Sequence, residues 1–452
     1  MKIIVAGCGK IGNTLIENLI KENHDVVAVD NNQNALDAIR DVYDAFCLCG
    51  NIADYDTLQE SGVSNAEMFV AVTGSDELNM LSCVLARKMG AKHTVARIRN
   101  PEYNDENFEF MKQHIDLSVH INPELLAAQE IFNILKIPAA LNIETFSRRN
   151  FEMIEFRIRD DSVLDGMSLI EMRKKYKAEY LICVVSRGEE VYIPDGNFVL
   201  KKGDRIGITA TIPQILKFLK MQGAVQKQAK SVMILGGSRI AYYLAKMLTD
   251  SGSTVKIIEK NHSVCEQLCE ELPGVVIING DGAEQEILLE EGIASVDAFV
   301  TLTGNDETNI LISCFANYHN VPKIITKVNR KPLTVLARKL GVECIVTPKN
   351  TVTGVISAYA RALHNSLESN IETLYKLMDG KVEALEFKVK PDFKCIGVPL
   401  REMKLKSNIL IAGIISKRKV KIPSGNDCFQ AGDNVIVISK DRMLDDLSEI
   451  LR

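Results

Sequence analysis

The chain has 452 residues, 46% of them hydrophobic and 25% charged, with a formal net charge of −5 at pH 7. That length exceeds a single core and predicts several domains of roughly 100–200 residues. The acidic balance supplies no basic run to track a phosphate backbone, so no nucleic-acid partner is expected. No run of roughly 18 apolar residues is available to cross a bilayer, so a cytoplasmic chain is expected.

The first apolar run, Ile3 to Ala6, stops at Gly7, Gly9 and Gly12 and passes into the amphipathic stretch Ile11 to Ile20. This pattern predicts a strand, a tight turn and a helix. Gly7 makes the turn, Gly9 lets the backbone approach a pyrophosphate above the helix N-terminus, and Gly12 allows close packing of helix on strand. A second strand, Asp25–Val29, ends in Asp30, whose carboxylate suits the ribose hydroxyls of NAD and would repel the extra phosphate of NADP. The alternative is a turn that binds nothing.

Further strands are predicted at Phe46–Cys49, Met68–Val72, Thr94–Ile98 and Leu117–Ile121, followed by a helix at Pro123–Leu135. These runs are apolar on both faces, as a parallel sheet covered by helices requires. Six such strands make a doubly wound Rossmann-like unit. After Ile137-Pro138 the texture changes to strands FEMIEFRI, LICVVSR and RIGITAT with turns at Pro194-Asp195-Gly196 and Lys202-Gly203-Asp204, which predicts a smaller α+β domain.

The whole arrangement then recurs. Gly236 lies 229 positions after Gly7, Glu259 lies 229 after Asp30, and Gly280 lies 230 after Gly50. The run Thr73-Gly74-Ser75-Asp76-Glu77-Leu78-Asn79 returns 230 positions later as Thr303-Gly304-Asn305-Asp306-Glu307-Thr308-Asn309. Shared offset and identity together indicate tandem duplication. The expected fold is α/β, with two doubly wound parallel sheets at 1–138 and 230–366, each followed by a small α+β domain, at 141–223 and 370–452. The polar stretch 222–230 is expected to be a linker.

In an open parallel sheet, ligands sit beyond the carboxyl ends of the strands, so the loops after strands carry the candidate site. Gly7, Cys8, Gly9, Lys10 and Ile11 are expected to meet the pyrophosphate, Asp30 the ribose, Asn51 and Ile52 the adenine, and Thr73 and Gly74 the middle or nicotinamide side. Asp76 is expected to be a helix N-cap. Of Arg97 and Arg99, Arg97 is favoured to face the phosphates, because side chains alternate along a strand. In the second half the corresponding residues are Gly236, Gly237, Ser238, Arg239, Ile240, Glu259, Thr303, Gly304 and Lys327. Ser238 departs from the glycine pattern, narrowing the approach while offering a hydroxyl, so an altered nucleotide preference or an idle site is expected there.

The seven histidines form no constellation with a carboxylate that recurs between halves, and no substrate domain follows either sheet. A nicotinamide oxidoreductase needs a positioned acid or base. A ligand that is sensed is the better reading, and no catalytic residue is assigned. The eleven cysteines include no CxxC pair, and neither metal binding nor redox use is expected.

The ordered set GxGxxG, acidic end of strand two, GN or GD after strand three, TGSDELN, ARIRNPEY and INPE, followed by a small domain with a KKGD hairpin, resembles the RCK/KTN family. Its members are ligand-binding domains that regulate potassium channels and transporters. The tandem form is similar to regulatory subunits of Trk-type potassium-uptake systems. The resemblance implies a non-enzymatic peripheral subunit on the inner face of the cell membrane, partnered by a Trk-type potassium-translocating integral membrane subunit. It also implies rings of eight units, hence a homotetramer. NAD(H) is implied for the first unit and NAD(H), ATP or ADP for the second. Pairing of units is expected along Leu125–Leu135 and Val352–Leu363, stretches that could equally be internal core. The alternatives are an NAD-dependent oxidoreductase and a nucleotide-binding regulator of another cation transporter.

Overall fold

The computed structural model describes all residues except 101–102, 104–116, 138, 147–150, 177–179, 222–227, 369–370, 417–418, 441–443 and 445. Pro138 and most of the expected 222–230 linker therefore lie outside the described residues, as do Pro101 and Glu102 of the ARIRNPEY run.

In the first half, β1 (Lys2–Ala6), β2 (Asp25–Asp30), β3 (Phe46–Cys49), β4 (Met68–Ala71), β5 (His93–Arg97) and β6 (Val119–Ile121) form one sheet. Their order is β3-β2-β1-β4-β5-β6, and every recorded pairing is parallel. This is the doubly wound arrangement, with its reversal of strand order between β1 and β4. Ile3, Ile4, Val5 and Ala6 are wholly buried, since helices cover both faces of a parallel sheet.

The first small domain holds β7 (Asn142–Phe146), β8 (Phe151–Arg157), β9 (Leu181–Arg187), β10 (Glu190–Tyr192) and β11 (Arg205–Thr211), in antiparallel order β10-β9-β11-β8-β7. The second large sheet contains β12 (Ser231–Leu235), β13 (Thr254–Glu259), β14 (Val276–Asn279), β15 (Ala298–Thr301), β16 (Lys323–Lys327) and β17 (Cys344–Val346), again parallel and in the same order. The second small sheet contains β18 (Ile371–Leu377), β19 (Val382–Lys388), β20 (Ile409–Ser416), β21 (Lys419–Lys421) and β22 (Asn434–Lys440), and it repeats the topology of the first.

The chain divides into two compact units that cut across the sequence repeat. One contains Met1–Ile131 with Ser231–Ala360, and the other Phe132–Lys230 with Arg361–Arg452. Within the first unit the two large sheets' helices meet. Thr351 Oγ1 donates to Glu130 Oε2 at 2.7 Å, Tyr359 pairs its hydroxyl with His93 Nδ1 at 3.3 Å, and Asn122 Nδ2 donates to the Tyr243 hydroxyl at 3.0 Å. Val352, Ile356, Ala127 and Ala128 are buried beside these contacts. The last helices of the two large domains are therefore both internal core and the junction between halves of one chain. Within the second unit the small sheets share a core that includes Phe146, Phe151, Leu377 and Ile436.

Candidate functional site

The turn after β1 is set by its neighbours. Gly7 has φ +99°, and a Cβ there would stand 2.8 Å from the Thr73 amide nitrogen. A Cβ on Gly12 would stand 1.8 Å from the Gly7 carbonyl oxygen, so the helix Lys10–Lys21 leaves the turn as close to the strand as its backbone permits. Gly9 faces open space, and as N-cap it gives the helix no side-chain hydrogen bond. The first amides of that helix consequently point, uncapped by any side chain, at the space over the sheet.

Asp30 ties the turn to β2. Its Oδ2 accepts from the Cys8 amide at 2.6 Å and its Oδ1 from the Asn32 amide at 2.8 Å. Each oxygen keeps a lone pair, so the carboxylate can hold the turn and still accept from a sugar hydroxyl. Glu259 repeats the arrangement, accepting from the Gly237 amide at 2.6 Å and the Asn261 amide at 2.8 Å. The longer side chain reaches the same two donors.

The loop after β4 is fixed by a residue that sequence reasoning left without a role. Asn79, fully buried, accepts from the Thr73 amide at 2.9 Å and the Thr73 hydroxyl at 2.7 Å, and donates to the Arg97 carbonyl at 2.9 Å. Asn309 makes the same bonds to Thr303 and to the Lys327 carbonyl, at 3.1, 2.7 and 3.0 Å. Its identity in both halves was the available signal. Asp76 is corrected: the N-cap is Ser75, whose side chain accepts from the Leu78 amide, and Asp76 is the first helical residue. The Asp76 carboxylate instead accepts from the amides of Arg99 and Asn100 at 2.7 and 2.8 Å, holding the chain as it leaves β5. Serine one residue earlier already has the extended backbone a cap needs, which frees the aspartate for that longer reach.

These loops surround a cavity of about 620 Å³ at the carboxyl ends of the first sheet. Its wall includes Gly7, Gly9, Lys10 and Ile11; Asp30, Asn51 and Ile52; and Thr73, Gly74 and Arg97. Cys8 is placed differently: its side chain is buried, its amide is spent on Asp30, and burial next to that carboxylate pushes its thiol far above the usual range. The wall also takes Pro123 and Glu124, and from the second half Ile240, Asn329, Pro348 and Lys349. Ile240 thus lines the first-half cavity. Gly236, Gly237, Ser238 and Arg239 form the turn after β12, Glu259 closes β13, Thr303 and Gly304 follow β15, and Lys327 ends β16, each in the place its first-half counterpart occupies.

Charge is gathered at the β5–β6 end. The Arg97 guanidinium donates to the Thr73 carbonyl, while Arg99 spends its own on the Gly74 carbonyl and the Asp76 carboxylate. Burial, with the nearby Arg99 charge, lowers the Arg97 pKa, and burial likewise lowers that of Lys327. Burial raises the Glu124 carboxyl, against the pull of Arg99, Arg97 and Arg239. A buried cation without a paired carboxylate favours an anionic or strongly polar ligand. Sequence reasoning passed over Glu124, although it stands in the INPE run at the start of the helix Pro123–Lys136. Among the described residues no group of three or more His, Cys, Asp or Glu is placed to hold a metal ion, and no helix is long and apolar enough to cross a membrane.

With this geometry in view, comparison with known proteins gives a consistent result. The TrkA-N domain family matches residues 3–116 and 232–348, and the TrkA-C domain family matches residues 153–223 and 384–452. The Trk system potassium uptake protein TrkA homolog of Archaeoglobus fulgidus is 31% identical over 453 residues, covering 100% of both chains. The Trk system potassium uptake protein TrkA of Vibrio alginolyticus is 30% identical over 443 residues, covering 97% of this chain and 95% of that one. Among solved structures, the GsuK channel bound to NAD superposes with a TM-score of 0.63 at 18% identity, over 97% of this chain and 77% of that chain. At that identity the likeness speaks for the fold.

Proposed function

The chain belongs to the TrkA family, with a TrkA-N and a TrkA-C domain in each half, and from this we propose that it is the regulatory subunit of a Trk-type potassium-uptake system. In this reading it is a non-enzymatic, nucleotide-sensing subunit that docks from the cytoplasm on a potassium-translocating membrane subunit. Four chains, each with two units, make a ring of eight. The domains are taken to run over 1–138, 141–223, 230–366 and 370–452.

The carrying observation is the cavity of about 620 Å³ whose wall is shared by both halves of one chain. NAD(H) is the proposed ligand there: amides of the Gly7–Ile11 turn take the pyrophosphate, Asp30 the adenosine ribose, Asn51 and Ile52 the adenine, and Thr73, Gly74 and Arg97 the distal side. A ligand in that space touches Ile240, Asn329 and Lys349 as well as the first half, so its fit depends on how the halves are set against each other. Differential affinity for two settings is what would shift the assembly between states and change potassium flux; equal affinity would shift nothing. The second-half turn, with Ser238, Arg239 and Glu259, is assigned NAD(H), ATP or ADP.

The test is equilibrium binding of NADH, NAD, ATP and ADP to the purified full chain and to Asp30→Ala and Glu259→Ala, beside potassium flux through the reconstituted transporter. Removing either carboxylate leaves one turn amide and one amide just past the carboxylate's own strand without their acceptor, and is expected to weaken its own site about tenfold or more, roughly 1.4 kcal/mol. Two binding classes, each lost with its own substitution, and nucleotide-dependent flux without turnover are expected. No binding at micromolar to millimolar concentrations would end the sensor reading; turnover of NADH with a substrate would replace it with the oxidoreductase.

A further inference from the structure

We propose that Tyr243 couples the two nucleotide sites of one chain. Its hydroxyl ties the helix that opens at the second-half turn to the segment that backs the first-half site, so that a ligand at one site raises affinity at the other. The proposal rests on the two-site nucleotide reading above and names the residue through which the sites communicate.

The helix Arg239–Asp250 starts at the turn after β12, and its Tyr243 is buried one turn along. The Tyr243 hydroxyl both accepts from and donates to the first half, as a phenol can. It accepts from Asn122 Nδ2 at 3.0 Å and donates to the Arg99 carbonyl over a longer 3.4 Å. Neither partner is loose. Asn122 Oδ1 accepts from the Leu125 amide at 2.9 Å, in the first turn of the helix Pro123–Lys136. The Arg99 amide donates to Asp76 Oδ2 at 2.7 Å, and the Arg99 guanidinium reaches the Asp76 carboxylate and the Gly74 carbonyl. Hydrogen bonds therefore run from Tyr243 through Arg99 to Gly74. They join a helix whose N-terminus belongs to the second site to a loop that belongs to the first.

The repeat shows what this contact adds. Thr14 stands 229 positions before Tyr243, and its hydroxyl turns back on its own helix, donating to the Lys10 carbonyl at 3.0 Å. Thr347, placed before its helix-opening proline as Asn122 is before Pro123, donates to the Val328 carbonyl at 2.8 Å, within its own half. The tyrosine contact is thus made in one direction only. One contact suffices, because a coupling free energy is reciprocal: what the second ligand does for the first, the first does for the second. The sign follows from ordering. A ligand held by the amides at the start of Arg239–Asp250 fixes that helix, and with it the hydroxyl against Arg99. The first-site loop is then already set when its own ligand arrives, and less ordering is left to offset binding.

NADH fluorescence titrations of the full chain, without and with saturating ADP, read the coupling as the ratio of the two NADH affinities. Glu259→Ala, with the second site silenced, supplies the reference ratio, so that any competition by ADP at the first site cancels. In the unaltered chain the ratio is expected to stand about fivefold or more above that reference. Tyr243→Phe, which keeps the ring and loses the hydroxyl, should bring it down to the reference, whereas Thr14→Val should leave it as it was. A merely structural role for Tyr243 would lower both NADH affinities together and leave their ratio unchanged. A ratio that persists in Tyr243→Phe overturns the proposal, as does an unaltered chain that binds both ligands with a ratio at or below the reference. Both of those results leave the two-site reading standing; that reading falls instead if neither NADH nor ADP binds at micromolar to millimolar concentrations.

Discussion

At Gly9 the first-half helix begins without a side-chain cap, while at the matching position of the second half Ser238 caps its own helix, its side chain accepting from the Ala241 amide at 3.4 Å. The acidic residues behind the two turns bond alike, the loops after β4 and β15 are clamped alike by Asn79 and Asn309, and the strand order is the same. What differs is the face offered to a ligand. One turn presents free amides over open space, and the other has folded a hydroxyl onto the same position. Duplication therefore kept the scaffold of both turns and let the contact surface diverge.

The shared part is the costliest to break. Replacing Asn79 by alanine would leave the Thr73 amide and hydroxyl and the Arg97 carbonyl short of their partner in a buried setting. A loss of about 2–4 kcal/mol is expected, read as a lowered urea midpoint of the full chain. Asn309→Ala should cost a similar amount through Thr303 and Lys327. If the two losses differ severalfold, the clamp is not the common element it is taken to be.

The third position of each turn gives a smaller and asymmetric effect. A Cβ on Gly12 would collide with the Gly7 carbonyl, whereas Ala241 already carries one in the second half. Gly12→Ala is expected to lower stability by about 1–3 kcal/mol by pushing the helix off the turn, and to weaken any ligand at the first cavity. The reciprocal Ala241→Gly should cost only about 1 kcal/mol, the helix-interior preference for alanine. Thermal denaturation of the two variants side by side checks the contrast. Equal losses would mean that the turns share one spacing after all.

How far the sequence could be read follows from what each signal depends on. The two large sheets were legible because parallel strands covered on both faces read as unbroken apolar runs at fixed spacing, and because the repeat supplied each landmark twice. Four short or edge strands of the small domains, β7, β10, β18 and β21, were not foreseen; β10 and β21 have only three residues each, too few to show a period. The capping role expected for Asp76 fell to Ser75, because either residue type suits a cap and only the backbone decides between neighbours. Lys349 escaped notice for a different reason: what brings it to the first-half cavity is the packing of two halves, and no local pattern records a contact made across more than two hundred residues.

The subtlest change tests the difference between the turns directly. Ser238→Gly removes the hydroxyl that accepts from the Ala241 amide but keeps the backbone free, and glycine is itself a tolerated N-cap. Its expected cost in stability is only a few tenths of a kcal/mol. The same change opens the helix N-terminus of the second half as Gly9 leaves that of the first. A ligand pyrophosphate would then meet amides that no longer have a competing acceptor, so dinucleotide affinity at the second site should rise while the first stays as it was. Gly9→Ser should do the reverse at the first site, adding a Cβ and a hydroxyl where nothing of the protein now stands within 4 Å. Titrating both variants with NAD, each with the other site silenced at Asp30 or Glu259, separates the two effects. Opposite shifts would make this one position the source of the asymmetry. Unchanged affinities in both would move the source to the charges that the halves lend each other, Glu124 on one side and Lys349 on the other.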